Sequence, residues 1–240
     1  MYSLKISCIG VLFLAFNFSF GQPTGKVTYA VEHLEQYTNP RISKRNVDGS
    51  LKRIFKFDSI AKAVLAKDEV LFQLDFNPQY YHFYVQDVDE KTQEVIRRFS
   101  GGIKHYFFDV GANSFIFRYK LEDHDHLVEG EAFYSKNNWH ITDETREIAG
   151  YTCKKAILTN QMESLFETYA WFTEDISIDF GPLGYMSLPG IILGLEHNHR
   201  FIYALEVDLD YKPNIKLPAV QSYTITEHHD LLYGDILQGY

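Results

Sequence analysis

Short runs of aromatic and β-branched residues, each closed by Asn, Asp, Gly or Pro, recur along this chain and constrain its fold more than any other feature. Val70 to Phe76, Tyr80 to Val85, Lys104 to Phe108 and Ser114 to Leu121 are of this kind. Their side chains suit a pleated surface and the closing residues suit turns, which predicts successive antiparallel strands. Lys26 to Glu32 alternates apolar with polar residues, the pattern of a strand with one face in water. The 19 Phe and 17 Tyr beside only 3 Met point the same way. One helix is expected over Ser59 to Lys67: Asp58 can cap it, and Ile60, Ala61, Val64 and Leu65 share a helical face. The fold class is therefore mainly β with a minor α part, a curved antiparallel sheet or partly open barrel with about one helix.

Further along, Trp139 to Ile141 reads as a strand and Thr142 to Arg146 as a turn. Ile148 to Leu158 reads as the return strand, with Gly150 marking a bulge or close approach. Glu167 to Thr173 is the next strand. Ile191 to Glu196 and Phe201 to Val207 predict a hairpin around the four residues His197 to Arg200, and Val220 to Thr226 predicts a last strand. No repeat and no Ser/Gly/Pro-rich linker divides residues 22–240, which read as a single domain.

The amino terminus carries a different signal. Lys5, the mostly apolar run Ile6 to Phe20 and the small residues Ser19 and Gly21 form the pattern of a secretory signal peptide over residues 1–21, cleaved near Gly21. No second apolar segment of spanning length follows, so no integral membrane segment is expected after cleavage, and the compartment is periplasmic or secreted. Cleavage would leave Cys153 as the only cysteine, so no intramolecular bridge can form and an apolar core must carry the stability. Its strand-like surroundings predict a buried, inert thiol. With 23 basic against 32 acidic side chains the net charge is −9, and a nucleic-acid partner is not expected, since that function needs a dense positive surface.

The least generic stretch is Trp171 to Leu193. Gly181-Pro182 and Pro189-Gly190 bracket a loop ahead of the apolar run Ile191-Ile192-Leu193, which can bury both faces as a central strand. The loop is either a corner feeding that strand into the core or a rigid rim that contacts a ligand. On the second reading Trp171, Gly181, Pro182, Leu188, Pro189 and Gly190 are the ligand-binding candidates. The segment Ser187-Leu-Pro-Gly-Ile-Ile192, with Gly150-Tyr-Thr-Cys-Lys-Lys-Ala156, Trp171-Phe-Thr and Gly181-Pro182, resembles the GLPGLI family of exported proteins from Bacteroidetes. Ser187 stands where that family's motif has its first Gly, and Ile191 where it has its second Leu. The resemblance implies a cell-envelope or secreted protein and brings no catalytic residues. More loosely, the expected curved sheet is similar to lipoprotein-carrier folds, an analogy of fold alone.

No nucleophile elbow, phosphate loop or dinucleotide fingerprint is present, and no catalytic residue or cofactor is assigned. The expectation is a non-catalytic module that binds an apolar or extended ligand. Its alternatives are a structural partner of an outer-membrane protein and a metal-handling protein. For a metal, the candidates are His124 and His126, in the acidic run Asp123 to His126, and His197 and His199 at the hairpin. A solvated turn is the plainer reading of that acidic run.

Overall fold

The computed structural model describes residues 23–34, 70–86, 103–121, 124–131, 137–159, 167–197 and 200–218, with isolated positions 63, 88, 89 and 92. The signal peptide expected over residues 1–21 and the strand expected over Val220 to Thr226 lie outside them. So does the expected helix over Ser59 to Lys67, apart from Ala63, which is helical and exposed.

Among the described residues, eleven strands form one sheet. They are β1 (Gly25–His33), β2 (Leu71–Phe76), β3 (Tyr80–Val85), β4 (Ile103–Asp109), β5 (Ser114–Leu121), β6 (His124–Glu131), β7 (Trp139–Ile148), β8 (Tyr151–Leu158), β9 (Tyr169–Thr173), β10 (Ile191–His197) and β11 (Arg200–Asp208). The order is β6-β5-β4-β3-β2-β1-β11-β10-β9-β8-β7, antiparallel at each described junction, and the sheet is not closed into a barrel. Two meanders thus join where the first strand pairs with the last. The sheet confirms the mainly β class. No helix among the described residues is long and apolar enough to cross a membrane.

Local chemistry explains the turns. Between β2 and β3, the Asn77 carboxamide oxygen accepts from the backbone N–H of Gln79 and of Tyr80, an Asx turn. Between β7 and β8 the two turn residues, Ala149 and Gly150, have φ of 50° and 83°, as a two-residue hairpin of the favoured hand requires. Gly150 therefore turns the chain rather than bulging it. The turn expected at Thr142 to Arg146 is instead the body of β7, with a register shift between Ile141 and Thr145. Its polarity reflects a position at the sheet edge, where charged side chains and bulges discourage further pairing. At the β10–β11 hairpin, His197 pairs with Arg200 as the last rung, so the connection is shorter than expected.

One face of β1–β5 is packed with rings. Tyr29, Phe72, Phe76, Phe83 and Phe115 are fully buried there, and Phe72 stacks on Phe83 with ring centroids 5.4 Å apart. The chain between β9 and β10 folds back onto the same core. Ile176, Ile178 and Phe180 are buried and alternate with exposed Ser177 and Asp179, and the Ile191 and Ile192 N–H groups donate to the Ile176 and Phe180 carbonyls. Phe180 meets Tyr81, Phe108 and Phe115 at centroid distances of 5.3, 6.0 and 5.8 Å. This segment joins the two meanders through side chains as β1 and β11 join them through the backbone.

Candidate functional site

The residues of the expected rim are mostly interior. Leu188 is 2% exposed, Gly181, Pro182 and Gly190 are buried, and Pro189 alone of the bracket is exposed. The two glycines are there for room. A Cβ on Gly181 would lie 2.4 Å from the Ile192 Cβ, and one on Gly190 would lie 1.9 Å from the Thr173 carbonyl oxygen. The left-handed residues of the loop are Leu183, Gly184 and Ser187, with φ of 56°, 79° and 74°. Ser187 thus holds a glycine conformation without being glycine. Relief of that strain exceeds the entropy a glycine adds to the unfolded chain, so Ser187→Gly is expected to raise stability by about 0.5–1 kcal/mol, measured by urea unfolding.

Trp171 is covered as well. Its indole N–H donates to Glu196 Oε1 at 3.0 Å, and the Arg146 guanidinium lies 4.4 Å from the ring centre. Of the metal candidates, His124 and His126 fall in strand β6, not in a turn, and His199 lies outside the described residues. His197 Nδ1 is engaged by the hydroxyls of Thr168 at 3.1 Å and Tyr185 at 3.2 Å. Burial, and then the Arg200 charge, lower its pKa to about 4. The structure does not bring His124 and His126 together with His197: β6 and β10 are separated by six strands. Among the described residues no three His, Cys, Asp or Glu side chains are grouped to hold a metal.

A different set of side chains converges on the opposite face of β1–β4. The strand register aligns Lys26, Asp75, His82 and Phe107 in one row and Thr28, Gln73, Tyr84 and His105 in the next. Alternation along each strand puts both rows on the face away from Val27, Leu74, Phe83 and Tyr106. Asp75 is only 8% exposed. Its carboxylate accepts from Gln73 Nε2 at 2.6 Å and from the Tyr84 hydroxyl, and Gln86 Nε2 donates to Gln73 Oε1 at 3.4 Å. Burial raises the Asp75 pKa above the usual carboxylate range, against the pull of Gln73, Tyr84 and Lys26. Burial, and then the Asp75 charge, push the Tyr84 phenol up.

Beside this network the rings lie flat on one another. His82 stacks on Phe107 at 4.0 Å and on Tyr84 at 4.4 Å, and His82 Nε2 lies 3.0 Å from His105 Nδ1. Burial, and then the neighbouring His105, lower the His82 pKa to about 3, so His82 is neutral near pH 7. Perturbed groups gathered on one surface mark a functional site better than isolated ones. The sequence holds a trace of this face in the spacings Gln73-x-Asp75, His82-x-Tyr84 and His105-x-Phe107. Only the register between strands makes them neighbours.

Comparison with known proteins adds three findings. Residues 99–235 match the family described as the N-glycanase peptide, N-terminal domain. Two solved structures of PNGF-II, in space groups P21 and C2, each share the fold with a TM-score of 0.52 at 14% identity over 88% of this chain. The chain spans 33% of the length of each. A search of curated proteins gives no match. His105 and Phe107 lie within the family match, and Asp75, His82 and Tyr84 precede it.

Proposed function

Because the chain belongs to the family of the N-glycanase peptide N-terminal domain, we propose that it is an exported, non-catalytic recognition module for a glycan chain. The ligand lies on the polar and aromatic face of β1–β4. The observation that carries this reading is the carboxylate of Asp75, held by Gln73 and Tyr84 next to the stacked rings of Tyr84, His82 and Phe107. Sugars present hydroxyls that pair with carboxylate and carboxamide groups, and C–H faces that lie on flat rings. The opposite face has its own rings and the Ile176 to Leu188 segment packed on it, so the extended ligand is favoured over an apolar one. Glycosidic or amide cleavage needs a convergent acid and base, and Asp75, whose Oδ1 accepts from Gln73 Nε2, serves this reading as a hydrogen-bond acceptor. The segment over residues 1–21 and the GLPGLI-like run Ser187 to Ile192 support export.

Calorimetric titration with an N-glycosylated peptide and with the same peptide after deglycosylation tests this. Saturable binding to the glycosylated form alone is expected, weakened by about tenfold or more in Asp75→Asn and in Tyr84→Ala. Equal binding of both peptides, or unaltered binding in both variants, overturns the reading. Release of free glycan during the titration overturns its non-catalytic part.

A further inference from the structure

We propose that His82 and His105 hold one divalent transition-metal ion, of the copper or zinc class, between His82 Nε2 and His105 Nδ1. The geometry is the first argument. The two nitrogens are 3.0 Å apart. Metal–nitrogen bonds of about 2.0 Å place two adjacent imidazole nitrogens about 2.8 Å apart at a right angle and about 3.3 Å apart at the tetrahedral angle. The observed separation falls between these limits, so an ion can replace the shared proton with ring movements of a few tenths of an ångström.

Orientation is the second argument. Imidazole ligands bind well when neighbours fix the ring before the ion arrives. His82 is stacked on Phe107 with an interplanar angle of 7° and on Tyr84 with one of 21°, and the two imidazoles lie within 17° of parallel. When the ion enters, the ring that donates in the pair moves its proton to its other nitrogen, and both lone pairs become available.

The two rings supply two ligands. With no third His, Cys, Asp or Glu grouped with them among the described residues, the remaining positions are open to water or ligand oxygen. Imidazole donors with open positions suit Cu(II), Zn(II) and Ni(II), and Cu(II) binds most tightly of these. His82 belongs to both readings, but the metal site needs the imidazole pair and not the Asp75 network, so either can fail without the other.

Titration of the chelator-treated full chain with CuCl2 and separately with ZnCl2 tests it. One equivalent of Cu(II) is expected, with an electron paramagnetic resonance spectrum showing coupling to imidazole nitrogens. His82→Gln and His105→Gln keep a hydrogen-bonding group but lose the ligand, and each is expected to weaken binding by about 100-fold. A His124→Ala/His126→Ala variant is expected to bind as the parent does. Parent-like affinity in both Gln variants, loss confined to the His124/His126 variant, or no stoichiometric binding overturns the proposal. Should a Gln variant fail to fold, carbethoxylation of the parent read by mass spectrometry decides instead. Protection of His82 and His105 by Zn(II) is expected, and equal labelling with and without the ion overturns the proposal.

Discussion

Gly190→Ala is expected to cost about 4 kcal/mol or more, or to prevent folding altogether. The added Cβ would lie 1.9 Å from the Thr173 carbonyl oxygen, 2.6 Å from its carbon and 2.9 Å from the Glu174 Cα. All three are backbone atoms at the end of β9, where Thr173 pairs with Ile191 of β10. A flexible side chain could swing away, but this backbone can yield only by parting the two strands. Urea unfolding followed by circular dichroism measures the loss. A variant within about 1 kcal/mol of the parent would mean that β9 and β10 do not approach as described.

Phe180→Ala is expected to cost about 3–5 kcal/mol. The ring is 0% exposed and sits among Tyr81, Phe108 and Phe115, so its removal leaves a cavity walled by side chains of β3, β4 and β5. Close-packed walls relax only in part, and the lost dispersion contacts add to the lost transfer energy. The same unfolding experiment reads the effect. A loss below about 1 kcal/mol would show that the segment between β9 and β10 does not hold the two meanders together.

Both positions lie in the stretch that the sequence marks as unusual, yet their roles came from packing. Pro and Gly announce a bend at Gly181-Pro182 and Pro189-Gly190, and a bend is compatible with a solvent rim or with a buried return. What places it inside is the alternation Ile176, Ile178, Phe180, whose apolar side chains find partners only on strands far away in sequence. The same reasoning covers β7. Thr142 to Arg146 has the composition of a turn, and it extends because Lys154 and Cys153 pair with Thr145 and Arg146.

Most strand positions, the β10–β11 hairpin and a buried Cys153 could be read from residues alone, because alternation and turn chemistry act over a few neighbours, whereas β6 and the middle of β7 have the composition of turns. The polar face of β1–β4 could not. Gln73, Asp75, His82, Tyr84, His105 and Phe107 come from three strands, and one residue of slip in any pairing would send that strand's side chains to the other face. Tertiary structure settled that register by burying Val27, Leu74, Phe83 and Tyr106 together. The polar groups became neighbours as a consequence of where the apolar ones had to go.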